Sequence, residues 1–402
     1  MKKSLLFASV MLAAFSSCSN DATEMADFVP GQQQEGLVPI NLGLSRFGVS
    51  VTETKGAGTV GDVAGAGNVW NKENLYVLMT SIDGSDWGYQ GYDANGLESF
   101  RCSRCQPVQN GDIWGLDYMS FNSGVTKYYP QQGYSDFFAF HCDDAAGNGV
   151  QNDMSDVVEM GESEALLPFT IDGSQDLMAG KAENGDPVGG NLNRTGFSAK
   201  TARHGLIPSI AMKHLLTRLT FEIISGDDNA DGLKVKAIRV DSKAQGNMVV
   251  AYNQEGTKDR SELIRWNEDA ETVGLTLKEK QGDIVGANGV KTPWREMTEK
   301  VMGVKGDRKE IDGALFVASQ TGQYYMYIDF EFPVKKGDQI EYVEKTEKFP
   351  LGKTTSNFEI GKSYHVAITV YGYSEMHVNA TLEPWEEGTT DGLEIDCAEP
   401  KN

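Results

Sequence analysis

Five cysteines carry most of the chemistry open to this 402-residue chain. Cys102-Ser103-Arg104-Cys105 has the spacing of a redox pair or of half a zinc site, in which two intervening residues let both sulfurs meet one partner. No second such pair occurs, and only His141, beside Cys142, stands near another cysteine. With Cys18 set aside, Cys102, Cys105, Cys142 and Cys397 make an even number, which in an exported chain reads as disulfides or buried thiols. Their pairing does not follow from sequence. Asp227-Asp228-Asn229-Ala230-Asp231-Gly232 opens like a calcium loop, with oxygens at alternate positions. Its twelfth position is Ile238, not the bidentate Glu that an EF-hand requires, and a polar hairpin turn explains the same residues. Trp87, Tyr89 and Tyr92, in the Gly-rich stretch Asp83 to Tyr92, could stack on sugar rings while the carboxylates hold hydroxyls. The same aromatics suit the edge of a sheet.

Catalytic constellations are missing. No nucleophile elbow, H-E-x-x-H or Walker loop occurs. His141, His204, His214, His365 and His377 are scattered. Carboxylate neighbours such as Glu386-Glu387 are expected by chance in so acidic a chain. The expectation is a non-enzymatic protein with no cofactor and no metal.

Residues 1–17 read as a signal peptide: Lys2-Lys3, an apolar run from Leu5 to Phe15, then Ser16-Ser17. The run is too short to span a bilayer, which needs ~20 residues. Cys18 follows the small pair, and Phe15-Ser16-Ser17-Cys18 resembles a bacterial lipobox, whose Cys is acylated. Two or more acyl chains, at ~0.8 kcal/mol per buried methylene, make a stable anchor. The formal net charge is -22, and losing Lys2 and Lys3 makes it more negative by two. Such a chain repels nucleic acid and anionic lipid.

Residues 18–36 are polar and lack periodicity, as in a tether. Beyond them the pattern is that of strands. Tyr324, Met326, Ile328, Phe330 and Phe332 alternate with Tyr325, Tyr327, Asp329 and Glu331. Tyr364, Val366, Ile368 and Val370 alternate likewise, as do Met376, Val378, Ala380 and Leu382. Period-two alternation gives each strand one core face and one wet face, the habit of antiparallel sandwiches. Leu37 to Val51, Leu75 to Ser81 and Asp136 to His141 are further strand candidates, and Ile210 to Ile224 is ambiguous between a helical turn and a strand. No alternation of strands with long helices appears, which argues against a doubly wound fold. The expected class is all-β, as two consecutive antiparallel β-sandwich domains at 37–203 and 204–402.

Several segments together resemble the fimbrillin family of pilus subunits from Bacteroidetes. They are Trp70 to Met79, Tyr129-Pro130 with Tyr134 to Phe140, Gln175-Asp176-Leu177-Met178-Ala179, Lys213 to Phe221, Gly361 to Val366 and Glu383-Pro384-Trp385. The resemblance implies two transthyretin-like sandwiches and a lipoprotein precursor bound for the outer membrane and cell surface. It implies a protease that cuts after a basic residue and removes the lipid with the first strand. The groove so opened takes a C-terminal strand of the next subunit, a form of β-augmentation. Here the first strand would lie within Leu37 to Val51, with Arg46 the foremost cut site and Lys55 the second. The donor would come from Met376 to Asp396. The four cysteines match no motif of the family and leave shaft, tip or accessory position open. The resemblance thus points to other fimbrial subunits as partners and to adhesion or biofilm as the setting. The alternative is a monomeric surface lipoprotein that binds glycan through Trp87, Tyr89 and Tyr92.

Overall fold

The computed structural model describes residues 37–44, 75–82, 102–110, 113–117, 127–130, 132–142, 158–280, 294–319, 323–351, 358–372, 376–383 and 394–396. Along them the strands are β1 (Gly43–Leu44), β2 (Leu75–Ser81), β3 (Cys102–Asn110), β4 (Ile113–Asp117), β5 (Ser135–Cys142), β6 (Glu159–Met160), β7 (Glu164–Thr170) and β8 (Leu177–Glu183). A hairpin of β9 (Asp186–Val188) and β10 (Asn191–Gly196) leads to a short helix, α1 (Ala199–Arg203). Next come β11 (Ser209–His214), β12 (Thr217–Ser225), β13 (Lys234–Ser242), β14 (Gln245–Tyr252), a turn of helix α2 (Arg260–Leu263), β15 (Ile264–Trp266), β16 (Val273–Thr276), β17 (Lys278–Lys280) and β18 (Trp294–Glu296). The last are β19 (Lys300–Val301), β20 (Arg308–Val317), β21 (Tyr324–Lys336), β22 (Gln339–Leu351), β23 (Ser363–Val370), β24 (Met376–Glu383) and β25 (Glu394–Asp396).

The first sheet closes on itself as a barrel in the order β1-β11-β8-β5-β2-β3-β4. Its central strands are buried on both faces, so their sequences run apolar without alternation. Leu75, Val77 and Met79 of β2 point into the barrel, as do Phe137 and Ala139 of β5. Tyr76, Leu78, Phe138 and Phe140 join a second, larger core on the outside. There Tyr76 stacks on Phe140, centroids 5.1 Å apart. A closed barrel leaves no open edge, which an expected open sandwich would have had to cover.

The C-terminal strands form two facing sheets, β20-β12-β23-β24-β25 and β16-β13-β21-β22, with β19 beside β13. Leu219, Phe221 and Ile223 of β12 and Val366 and Ile368 of β23 share one core with Ile238 and Val240 of β13 and Met326, Ile328 and Phe330 of β21. The alternation read in β21 is reproduced residue by residue in its burial. The sheets are not wholly antiparallel. β12 runs parallel to β23 over eight residues, and β1 runs parallel to β11.

The barrel continues past residue 204, where the second domain is expected to begin. β11 pairs with β8 over six residues, from Ser209↔Glu183 to His214↔Met178, and so belongs to the barrel. The chain leaves the barrel at Leu215-Leu216, both buried, and enters the second part as β12. The ambiguous stretch Ile210 to Ile224 is therefore two strands joined by this step. A further sheet, β15-β14-β7-β6, joins the two parts, because β7 precedes the boundary and β14 comes after it.

Candidate functional site

Residues 37–44 lie across the opening of the barrel. Gly43↔Ser209 and Leu44↔Ile210 bind β1 to β11, while Gly43↔Gly115 and Leu44↔Trp114 bind it to β4. Ahead of β1, the Ile40 amide donates to the Lys127 carbonyl (2.9 Å) and the Tyr129 amide to the Val38 carbonyl (3.0 Å). The Gly43 amide donates to the Pro208 carbonyl (2.8 Å). This backbone ladder leaves alternate side chains pointing inward. Ile40 is fully buried and Leu42 nearly so, while Pro39 and Asn41 are exposed. Val38 packs at the rim of the same core. The segment is thus an alternating strand whose apolar half completes a core made by the other strands.

That core is lined by Val77, Tyr129, Phe137, Phe197 and Ile210. Phe137 meets Tyr129 edge to face at 5.7 Å and Phe197 at 5.9 Å. Burial pushes the Tyr129 hydroxyl well above the usual phenol range. Beyond Phe197, α1 sets Ala199 into this core, with Ala202 and Leu206 packed against it. Its start is fixed by a capping box in which Ser198 and Thr201 exchange side-chain and backbone bonds.

Polar groups fasten the barrel within itself and to the chain after β14. Asp176 and His214 are both fully buried, with Nδ1 3.1 Å from Oδ1. The pair ties the start of β8 to the end of β11. Lys181 of β8 is buried 3.0 Å from Asp136. Its ammonium also reaches the Gln254 and Gly256 carbonyls at 3.4 and 3.3 Å and faces the Phe138 and Tyr252 rings. Burial raises the Asp136 carboxyl above the usual range, against the opposing pull of Lys181. No composition signal marks Lys181. Only the pairing Phe138↔Lys181 in the register of β5 with β8 brings it to Asp136.

The cysteines are spread apart. Cys102 and Cys105 lie in one extended strand, opposite Leu78 and Leu75. Three residues at ~3.3 Å rise put their Cα atoms ~10 Å apart, beyond the ~7 Å limit for a disulfide. Cys105 is buried inside the barrel and Cys142 in the outer core, so no bond joins those two. Cys397 lies outside the described residues. In the calcium-like loop, Asp227 accepts the Asn229 amide (3.0 Å) and Asp228 accepts the Lys305 amide (3.0 Å). The Asp227 carboxylate caps a single turn, Asp228–Ala230, and Gly232, after Asp231, lies in the left-handed region at φ 77°. Among the described residues no group of His, Cys, Asp or Glu could hold a metal ion.

Residues 1–36, with Cys18, lie outside the described residues, as do Arg46, Lys55, Trp87, Tyr89 and Tyr92. In the donor segment Met376–Glu383 is not loose. It pairs with β23 over eight residues as β24, whereas β25 adds only three pairs to β24, from Asn379↔Asp396 to Thr381↔Glu394.

The fimbrillin-like family model matches residues 106–385, well over half of the chain. The chain belongs to the fimbrillin-like family. No curated protein matches it. Among solved structures, this fimbrillin-like chain is similar to a fimbrial protein from Bacteroides vulgatus ATCC 8482 at 12% identity and TM-score 0.47, covering 87% of this chain and 99% of that one. It is similar to the tip fimbrial protein Mfa3 from Porphyromonas gingivalis at 8% identity and TM-score 0.37, covering 86% and 99%. It is also similar to the fimbrial anchor protein Mfa2 from the same organism at 10% identity and TM-score 0.33, covering 90% and 100%. The fimbrillin-like chain has the role of a fimbrial subunit at the cell surface, in a family of structural proteins.

Proposed function

We propose that this fimbrillin-like chain is exported as a lipoprotein acylated at Cys18 and joins its neighbours by exchanging the 37–44 strand for a strand of another subunit. The observation that supports this reading most is the way residues 37–44 are held. Their apolar side chains finish the barrel core, yet β1 itself is only two residues long on either side. A cut after Arg46, two residues beyond β1, would leave the strand attached by non-covalent contacts alone. Its loss would expose the Ile40 and Leu42 pockets between β4 and β11. Burying an Ile or Leu side chain contributes ~1.5–3 kcal/mol, so a replacement strand with the same alternation regains what the first one lost.

On this reading the donor is the part after Glu383, containing Leu393 and Ile395, rather than β24. Detaching β25 breaks a three-residue ladder, whereas detaching β24 would break eight pairs and open the core at Val378. The fibre then serves adhesion or biofilm at the outer membrane.

The test is N-terminal sequencing of sheared fimbriae together with assembly in vitro. Chain trimmed after Arg46 should polymerise while the uncut chain does not. A mature N-terminus that stays at Cys18 in assembled material would rule out the exchange.

A further inference from the structure

β21 and β22 form a hairpin of thirteen paired residues per strand, closed at Gly337 with φ 69°. β13 accompanies β21 only as far as Glu331, so the distal part of the hairpin extends past its sheet as a two-stranded arm. Among the described residues β22 pairs with β21 alone and is the edge of the sheet. Among the described residues, five of the ten exposed large hydrophobics lie on this hairpin: Tyr325, Val334, Ile340, Tyr342 and Val343. Ile340 is 62% exposed and Tyr342 52%. A long edge with apolar side chains is a template for another strand unless its charges forbid pairing.

The charges of β22 oppose several registers and favour one. The strand reads Gln339-Ile340-Glu341-Tyr342-Val343-Glu344-Lys345-Thr346-Glu347-Lys348-Phe349-Pro350-Leu351. Two copies related by a twofold axis pair antiparallel, with the axis on one residue, because facing side chains must lie on the same side of the sheet. An axis on Glu344 or Glu347 sets Glu against Glu, and an axis on Lys345 or Lys348 sets Lys against Lys. An axis on Val343 also brings opposite charges together, Glu341 against Lys345 and Lys348 against Asp338 of the turn, but within the strand it leaves Glu344 facing Tyr342 and Glu347 facing Gln339. An axis on Thr346 brings Lys345 opposite Glu347 of the second copy and Glu344 opposite its Lys348. By symmetry that makes four opposite-charge pairs and no like pair. The same register sets Val343 against Phe349 and Tyr342 against Pro350.

We propose that β22 is an interaction surface for a second copy of this chain, pairing antiparallel about Thr346 to make one continuous sheet. The side chains are already set along the strand. Glu344 is held by Lys236 at 2.6 Å, Lys348 lies 3.9 Å from the Tyr325 ring centre, and Thr346 donates to Asp329 at 2.7 Å. Holding the charges in place lowers the entropy that pairing must overcome. The contact is isologous and closes at two copies. It joins subunits side by side, unlike the head-to-tail exchange proposed above, and needs no cut at Arg46.

Sedimentation velocity on the uncut full chain over a concentration series tests it. The wild type should form a dimer that weakens with salt. E344K/E347K presents only Lys at the four positions and K345E/K348E presents only Glu, so each alone should dimerise at least about tenfold more weakly, four pairs having turned repulsive. An equimolar mixture of the two variants should regain a dimer of one copy of each, which also shows that both variants are folded. A wild type that stays monomeric throughout overturns the proposal. So does a pair of variants that associate as the wild type does, or a mixture that stays monomeric. Uncut chain is used throughout, so the outcome is independent of whether strand exchange holds.

Discussion

Lys181 is where the barrel wall meets the chain after β14, since one ammonium serves Asp136 and the carbonyls of Gln254 and Gly256. Removing it leaves the Asp136 carboxylate buried without its cation. Breaking a buried pair in this way costs ~3–5 kcal/mol, so Lys181→Met should lose about that much stability in urea unfolding. Arg308, 62% exposed beside Glu222, is the contrast. Screening keeps such pairs within about 1 kcal/mol, and Arg308→Met should barely move the midpoint. Two carboxylates shape the acid response in opposite senses. Burial works to raise the Glu279 carboxyl, but Lys300 and the Thr298 amide outweigh it and hold it below its ordinary value of 4.5. Its contribution is therefore present above that value and lost as pH falls through the lower folded one. Asp136, raised by burial, contributes below its unfolded value of 3.8 and loses that contribution as pH rises through its folded one. Melting temperatures of wild type and Glu279→Gln, measured from neutral pH into acid, should differ most at neutral pH and converge below the unfolded Glu value. Parallel curves would show that Glu279 carries no such linkage.

At the scale of elements, two barrel strands come very close at Gly180 of β8. A Cβ there would stand 2.3 Å from the Ala211 carbonyl oxygen of β11, a backbone atom with nowhere to move. Gly180→Ala should force β8 and β11 apart, cost ~1–3 kcal/mol as overpacking does, and speed amide exchange at Ala211 and Met212. Unchanged exchange there would mean that the barrel is looser at this seam than its geometry implies. The sequence disclosed strands to the extent that one face alone was buried. β21 and β23 alternate because they are wet on one side, and Leu75 to Ser81 was legible as an apolar run. β22 was not legible, since Glu and Lys occupy both of its faces and its pairing depends on β21 rather than on a core. The first-strand candidate was readable from Val38, Ile40 and Leu42. Its neighbours β4 and β11 were not, because local periodicity says nothing about which distant strands a two-residue ladder will join. The cysteine spacing shows the same limit: two intervening residues suit a shared ligand only where the backbone turns, and β3 is extended.

For the whole molecule, the decisive fact is that the outer core runs through both parts. Phe138 and Phe140 from the barrel, Leu167 from β7, Met248 from β14 and Leu219 from β12 belong to one buried cluster. Phe138 meets Tyr252 at 4.9 Å across the expected boundary. Two sandwiches joined only by a linker would unfold separately, whereas a shared core couples them. In a fimbria held together by strand exchange, tension would enter each subunit at the barrel groove and leave near β24. It would have to cross this cluster, and an independently unfolding barrel would be the weak link. Calorimetry should therefore show one transition. Phe138→Ala, a barrel substitution expected to cost ~3–5 kcal/mol, should lower the protection of amides in β12 and β13 as well as those in β2. If only the barrel amides lost protection, or a second transition split off at lower temperature, the two parts would be energetically separate. The shared cluster would then be a contact rather than a common core.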